Sequence, residues 1–366
     1  MNYIVRQAQF QAIRGNNCHY GQIRNLNTNK TFSWVYDCGH KDFIDKIKNN
    51  DKINLIVLSH FDKDHIDGAY ELMQKNPQAR CVAPYIDEQL GVLLLCKNID
   101  SYDDNGFEFI SELLLRNNDS ERFMFIREGE ENRNTTGRIA EYIKNVIGSD
   151  FWILLPIYYY NPSFQQFKII ADGILKEFKS LKEILEKLKK DRKNFQKKLI
   201  EKYKNLIQKT FANKSIAVTP NLLSVCMYSG PSKPCKHKIG WLHTGDTNLS
   251  NQKWFDKFKS AFSKYKSNVG IISLPHHGAA SSHNPKLFDE YPYTLYILPY
   301  HRVKQADFSE LPFIFSNRYH NICEYIRIKN GKFFCHSISL NNMCYFLRFG
   351  ESHFCPFCYY IANKKW

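Results

Sequence analysis

The feature that most constrains this chain is its segment 59–68, which has the sequence SHFDKDHIDG. Two histidines and two aspartates fall within six residues of it, namely His60, Asp62, Asp64 and His65. The run 53–58 before it is short, mostly apolar and rich in β-branched residues, which predicts a buried strand. A loop that follows a buried strand fixes its side chains yet leaves them within reach of solvent, as a metal site requires.

These four side chains can supply much of the ligand set of two adjacent divalent ions. Paired ions generate hydroxide from water near neutral pH and hold both the attacking and the leaving oxygen, which favours hydrolysis. The alternative interpretation is a polar surface loop after a strand. The metal site is favoured over that alternative because the second half of the chain contains further residues that can bind metal, Asp246, His276 and His277.

Four other segments accompany the loop, and their sequences are VYDCG at 35–39, NLLS at 221–224, LHTGD at 242–246 and LPHHG at 274–278. In this order and spacing they resemble the motifs of the metallo-β-lactamase superfamily, over roughly residues 30–300. The usual family loop is His-x-His-x-Asp-His, and Asp62 stands here where the second histidine usually stands. That variant is similar to the subgroup that includes the hydrolase domain of DNA-uptake competence proteins.

The resemblance implies an α/β fold, the αββα sandwich of the metallo-β-lactamase family, with two bound divalent ions. His60 and Asp62 would hold one ion. Asp64 and His65 would hold the other.

Later motifs would complete the centre. By the same resemblance, Asp246 would bridge both ions, and His277 or His276 would complete the ion that Asp64 and His65 hold. Asp64 would also orient the attacking hydroxide, and Asp37 would hydrogen-bond a ligand of the loop, so both are assigned catalytic roles.

The sequence also bears on which metal is bound. No histidine stands between His65 and His237, so the usual third metal motif of the family is absent. Because Asp62 also replaces a histidine, the first ion loses two imidazoles. Oxygen-rich sites suit Mn²⁺ or Mg²⁺ better than Zn²⁺. We therefore expect manganese, with zinc at the second position as the alternative.

Contacts with the substrate are expected just after the last motif. Ser281, Ser282 or His283 could hold a substrate phosphate. The subgroup often has serine directly after His-His-Gly, where this chain has Ala279. His301 is a candidate to protonate the leaving group, although a surface histidine is the simpler interpretation.

The charge of the chain favours a polyanionic substrate. The 366 residues contain 51 basic and 36 acidic side chains, which gives a net charge of +15. We therefore expect cleavage of phosphodiester bonds in nucleic acid. Three alternatives stay open at this stage: an esterase or amidase of the same fold, an antiphage-defence component that acts with a partner protein, and a binding module that keeps its ligands for structure alone.

Residues 171–211 have apolar side chains at alternating three- and four-residue steps, which predicts a long helical arm or a coiled coil. The segment 168–214 contains 15 basic and 6 acidic residues, a net charge of +9. It could guide a nucleic-acid backbone or dock a protein partner. The predicted parts of the chain are therefore two halves of the hydrolase domain at 1–100 and 216–305, a basic helical insertion at 101–215, and a Cys-rich extension at 306–366.

The extension has a Cys-x-x-Cys motif at Cys355 and Cys358, which could form a structural zinc site that Cys335 with His336, or Cys323, completes. The eleven cysteines of the chain are scattered, which favours reduced thiols and a cytoplasmic location. The sequence has no secretory pattern at its start and no apolar run of the roughly 20 residues that a membrane helix needs. We therefore expect no membrane association.

Overall fold

The computed structural model describes most of the chain. The described residues are 2–10, 17–47, 52–98, 103–116, 120–127, 130–158, 165–195, 197–198, 201–202, 224–234, 237–292, 294–299, 308, 314–316, 322–329, 332–340 and 343–346.

These residues form two mixed β-sheets with helices packed against them. The strands are β1 (Tyr3–Gln9), β2 (Cys18–Asn25), β3 (Thr31–Cys38), β4 (Leu55–Val57), β5 (Arg80–Pro84), β6 (Phe123–Ile126), β7 (Trp152–Tyr158), β8 (Val225–Pro231), β9 (Gly240–His243), β10 (Val269–Ser273), β11 (Leu295–Leu298), β12 (Ile314–Ser316), β13 (Ile322–Lys329), β14 (Lys332–Leu340) and β15 (Met343–Phe346).

The helices of the described residues vary from one turn to five turns. They are α1 (Asp42–Lys46), α2 (Lys63–Ile66), α3 (Ala69–Lys75), α4 (Glu88–Asn98), α5 (Asp104–Leu115), α6 (Glu130–Ile147), α7 (Gln165–Phe178), α8 (Leu181–Lys190), α9 (Gln252–Phe262) and α10 (Lys286–Glu290), with 3₁₀ segments at Ser263–Asn268 and Pro275–Gly278. None of these helices is both long enough and apolar enough to cross a membrane.

The strand order decides where a site can form. The first sheet runs β15-β14-β13-β1-β2-β3-β4-β5-β6, and the second runs β12-β11-β10-β9-β8-β7. Strands β3 to β6 are parallel to one another, and so are β9 to β12. The carboxyl ends of each parallel set therefore meet at one edge of its sheet, where loops can bring functional side chains together.

The two sheets pack face to face. The Tyr36 hydroxyl of β3 donates a hydrogen bond to the Val225 carbonyl of β8 (2.6 Å), and the Ser229 hydroxyl of β8 donates to the Gln7 side chain of β1 (2.7 Å). Alternate residues of β8 pack the other way, since Tyr228 clusters with Phe258 of α9. The second sheet is thus covered by the first sheet on one face and by helix on the other. The predicted α/β class is confirmed.

The apolar stripe predicted for 171–211 does not form one continuous helix in the part that the structure describes. Helix α7 ends before Lys179, which has a positive φ of 59°, and Ser180 then caps α8 by accepting a hydrogen bond from the Glu183 amide. Leu188 is buried in the main core. Gly91 of α4 lies so close to α8 that a Cβ there would come within 2.7 Å of Leu181. The described stripe therefore packs inside this chain and does not form an exposed docking surface.

The expected boundaries at 101, 215 and 306 do not separate the strands of the sheets. The segment 101–215 contributes β6 to the first sheet and β7 to the second. The segment after 306 contributes β13, which pairs with β1 over the full length of that strand. The predicted zinc ligands Cys335 and His336 are positions of β14, while Cys355 and Cys358 lie outside the described residues. The zinc site stays a prediction.

Because one face of α8 is buried, truncating a side chain on that face should destabilise the protein. Leu188→Ala removes a side chain that is only 2 % exposed, so we expect the free energy of unfolding to fall by about 2–5 kcal/mol. The exposed neighbour Lys190→Ala is the control and should change it by less than about 0.5 kcal/mol. Urea denaturation measures both, and equal effects would show that α8 does not pack into the core.

Candidate metal centre

The candidate centre lies where the parallel strands of both sheets end. Strand β3 ends in Asp37 and Cys38, and β4 leads into the loop with His60. In the second sheet, β9 is followed by Asp246, and β10 is followed by the turn Pro275–Gly278. The four strands end at the same end of the sandwich, and the segments that follow them therefore lie close together.

Asp37 organises the loop after β4. One of its oxygens accepts a hydrogen bond from the Ser59 amide (2.7 Å), and the other accepts from the Ser59 hydroxyl (2.7 Å). The second oxygen also lies 2.7 Å from Nδ1 of His65. The prediction that Asp37 hydrogen-bonds a ligand candidate of the loop agrees with this geometry. Its positive φ of 56° turns the chain at the end of β3 so that the carboxylate can reach the loop.

The carboxylate of Asp246 lies between two groups of donors. Its Oδ2 is 3.8 Å from Nε2 of His60 and 3.7 Å from Nε2 of His276. The same His60 nitrogen is 3.7 Å from Oδ2 of Asp62. We call this group, formed by His60, Asp62, His276 and Asp246 Oδ2, the first position.

The other oxygen of Asp246 faces a second group. Its Oδ1 is 3.5 Å from Nε2 of His65 and 3.7 Å from Nε2 of His277. Both of these nitrogens lie 3.6 Å from Oδ2 of Asp64. We call this group, formed by Asp64, His65, His277 and Asp246 Oδ1, the second position.

The separations fit metal ligands. Two donors that each lie about 2.1 Å from one ion at a tetrahedral angle are about 3.4 Å apart. Among the described residues, the donor atoms that all lie within 4.8 Å of one another are those of Asp64, His65 and His277 in one group and those of His60, His65 and Asp246 in another. The Nε2 atoms of His60 and His65 are buried and have no hydrogen-bond partner among the described residues. A buried imidazole nitrogen without a partner is costly in the absence of an ion or water. The His and Asp groups therefore could hold a metal ion.

Both histidines of the last motif belong to the cluster, one in each position, whereas the sequence suggested one or the other. His276 (φ 47°, ψ 51°) and His277 (φ 54°, ψ 27°) have successive left-handed backbone conformations. This turn directs their Nε2 atoms to opposite oxygens of Asp246. His276 thus supplies the first position with an imidazole that the missing third motif would otherwise provide. Each position contains two imidazoles and two carboxylates, so the first is not poorer in nitrogen than the second.

The Nδ1 atom of each histidine has a hydrogen-bond partner that fixes its ring. Ser59 contacts Nδ1 of His60 (2.9 Å), and Ser282 contacts Nδ1 of His276 (2.9 Å). Asn17 contacts Nδ1 of His277 (2.9 Å). Nδ2 of Asn17 is the atom that faces His277. When Nε2 binds a metal, Nδ1 carries the proton and must donate, so the Asn17 amide must then turn over to present its oxygen.

These contacts bear on the three residues expected to hold a substrate phosphate. Ser282 is buried against His276, so its hydroxyl orients a ligand candidate. His283 packs against Phe288 and Phe308, and burial lowers its pKa. Ser281 alone of the three is exposed. His301 lies outside the described residues.

The electrostatics of the cluster are those of a cation site. Burial alone would raise the pKa of Asp64, but the neighbouring His65 and His277 hold that pKa well below its ordinary value. Burial alone would lower the pKa of His65, but Asp37, Asp64 and Asp246 raise it. Positive charge is therefore favoured here, and a metal ion can supply it in place of a proton.

A small cavity of about 30 Å³ lies behind the second position, lined by Gln9, Tyr36 and His243 among others. It has room for a water molecule or two. Two buried imidazoles meet beside it, His19 and His243, with ring centroids 4.0 Å apart. Burial lowers the pKa of His243 to about 3, so both rings are neutral near pH 7. This packing gives His19 a structural role.

Asn17, Ser59 and Ser282 are the contributors that sequence reasoning did not identify as partners of the ligands. Each hydrogen-bonds a histidine through a short polar side chain, which no spacing rule reveals. Ser224 belonged to a recognised motif, and its hydroxyl accepts a hydrogen bond from the Asp246 amide (2.9 Å). The other three residues of that motif, 221–223, lie outside the described residues.

A comparison with protein-family models gives no match for this chain, and a comparison with curated proteins gives none either.

The turn before Asp246 offers a test of how the carboxylate is placed. Gly245 has a positive φ of 52°, and a Cβ there would collide with the Ser224 hydroxyl and lie 2.8 Å from Cβ of Ser59. We expect Gly245→Ala to displace Asp246 and to lower the metal content of the purified protein. Elemental analysis after dialysis measures this.

Gly137→Ala is the matched control, because a Cβ at this α6 position meets nothing within 4 Å. It should keep the metal and stabilise the helix by about 0.5–1 kcal/mol. Normal metal content in Gly245→Ala would show that the Asp246 carboxylate does not need this turn.

Proposed function

We propose that this chain is a metal-dependent hydrolase of the metallo-β-lactamase kind that cleaves phosphodiester bonds, with nucleic acid as its substrate. One observation carries the proposal: the Asp246 carboxylate lies between two groups of imidazole and carboxylate donors, one facing each of its oxygens. Paired ions held in this way are typical of nucleases and phosphatases. The order of the sequence motifs supports the same family.

Two divalent ions, manganese or zinc, would lower the pKa of water and polarise a phosphoryl oxygen of the substrate. The protein's own part is to hold the ligands and the substrate in place. Asp37 fixes the ring of His65 through its Nδ1. Asp64 stays a carboxylate because its pKa is held low, so it can accept a hydrogen bond from the attacking water and orient it.

The exposed side of the centre supports a long substrate. The side chains of Asp62 and Asp64 are each 26 % exposed and that of His276 is 24 % exposed, whereas His60 and His277 are buried. The cavity behind the second position has room for little more than water. A substrate must therefore approach across the exposed side, which suits an extended polymer better than a small molecule enclosed in a pocket.

The charge of the chain supports a polyanion, since the net charge is +15. Much of the excess lies in and after α8. Some of its lysines pair with carboxylates, as Lys187 does with Glu183 and Lys189 with Glu108. Its apolar face is buried in the core, which favours nucleic acid over a protein as the ligand of the exposed, basic face.

The deciding experiment combines metal analysis with a panel of substrates. We expect about two divalent ions per chain, and cleavage of DNA, RNA or a cyclic nucleotide when Mn²⁺ or Zn²⁺ is added. Carboxylic esters and amides belong in the panel. Hydrolysis of those alone would contradict the phosphodiester proposal and favour an esterase or amidase of the same fold.

Asp64→Asn tests the site itself, because it keeps the shape of the side chain and removes the charge. We expect kcat on the best phosphodiester of the panel to fall by about 10²–10⁴-fold. Asp67→Asn is the control in the same loop, since Asp67 pairs with Lys63 at 3.9 Å and lies outside both positions. A wild-type rate in Asp64→Asn would remove that residue from the mechanism.

The basic face is tested by salt dependence. Each phosphate that the protein neutralises contributes about 0.9 to the slope of log K against log salt on duplex DNA. Replacing Lys189, Lys190, Lys197 and Lys198 by Gln should weaken binding to DNA and flatten that slope.

The matched control changes the net charge equally elsewhere, by Gln at Lys253, Lys257, Lys259 and Lys264. It should affect binding less if the face after α8 holds the backbone. Equal effects of the two variants would show a general charge effect and would contradict a defined nucleic-acid surface.

A further inference from the structure

The two positions of the centre have matching ligands but different surroundings. Each contains two imidazoles, one aspartate of its own and one oxygen of Asp246. Any difference in affinity must therefore come from what supports those ligands and from their exposure to solvent.

The hydrogen bonds behind the imidazoles differ in strength. At the second position, Nδ1 of His65 meets the Asp37 carboxylate at 2.7 Å, and Nδ1 of His277 meets the Asn17 amide. At the first position, both imidazoles meet serine hydroxyls. A bond to a carboxylate is about twice as strong as one between neutral groups and makes the imidazole a better donor to metal. The hydroxyls of Ser59 and Ser282 are neutral partners, so they strengthen their imidazoles as metal donors less than the Asp37 carboxylate strengthens His65.

Exposure differs in the same direction. At the second position only Asp64 has a substantially exposed side chain, at 26 %, while His65 and His277 are 3 % and 2 % exposed. At the first position two ligands are exposed, Asp62 at 26 % and His276 at 24 %. Water can therefore reach and replace more of the ligands of the first position.

We propose that the second position retains its ion, while the first position binds its ion weakly and exchanges it with the solution. The proposal rests on the metal centre proposed above and adds an order of filling. It also adds a form of regulation, because the paired centre is complete only when the concentration of free divalent cation is high enough to fill the first position.

Two single substitutions separate the positions, because each removes the partner of one imidazole. Asn17→Ala removes the partner of His277 at the second position, and Ser282→Ala removes the partner of His276 at the first. Asp37 is less suitable, since it also contacts Ser59, which supports His60. Ser281→Ala, an exposed neighbour, is the control for both.

The experiment titrates Mn²⁺ into chelator-treated full-length protein by calorimetry, with electron paramagnetic resonance to distinguish single from paired ions. We expect two binding steps in the wild type, with isolated Mn²⁺ after one equivalent and coupled pairs only after the second. Asn17→Ala should weaken the tight step by about 10- to 100-fold, and Ser282→Ala should weaken the later step by a similar factor. Ser281→Ala should change neither step.

Asn17→Asp guards against loss of folding in Asn17→Ala, because it keeps the shape of the side chain and offers Nδ1 of His277 a carboxylate. Asn17→Asp should therefore tighten the binding of the ion at the second position, which is the tight step of the titration. Two ions that bind in one step, or a Ser282→Ala variant that weakens the tight step, would overturn the order of filling and leave the proposed function intact. Absence of any Mn²⁺ or Zn²⁺ binding would instead overturn the proposed metal centre.

Discussion

The carboxylate of Asp37 is the contact on which the rest of the centre depends. It receives hydrogen bonds from the amide and the hydroxyl of Ser59 and lies 2.7 Å from Nδ1 of His65. These contacts join the end of β3 to the loop after β4, and through Ser59 they extend to His60. A histidine of each metal position is therefore oriented by one buried carboxylate. The directions of the ligands are fixed before any ion binds, which reduces the entropy that binding must overcome.

The charges at the centre explain why so many ionisable groups can share a small buried volume. Asp64 keeps its charge because histidines surround it, and the aspartates raise the pKa of His65. Without cations this arrangement would leave buried carboxylates poorly compensated, which is costly in a protein interior. These groups are costly to bury and do not contribute to an apolar core. Their presence is therefore better explained by a functional role for the cluster than by stability.

The sequence predicted the parts of the molecule that depend on local pattern. The strand before segment 59–68 and the loop itself were found because apolar runs and ligand spacing are visible in the chain, whereas the Gly-Asp turn was identified by its resemblance to a family motif. The separate role of His276 was not, since it depends on two successive left-handed residues that ligand spacing does not reveal. The stripe of α7 and α8 showed an apolar face but could not show that α4 and the core cover it. The place of β13 beside β1 depends on pairing across more than 300 residues of sequence.

Both positions draw their ligands from both sheets, and this gives the sandwich a direct part in the chemistry. The first sheet supplies the loop with His60, Asp62, Asp64 and His65, and the second supplies Asp246, His276 and His277. The distances between these two groups are set by how the sheets pack. Tyr36 shows how closely packing and site are connected: it precedes Asp37 in β3, and its hydroxyl bonds to the Val225 carbonyl of β8, beside Ser224, which holds the Asp246 amide. The candidate metal centre is therefore a property of the packed sheets as much as of the loop that first identified it.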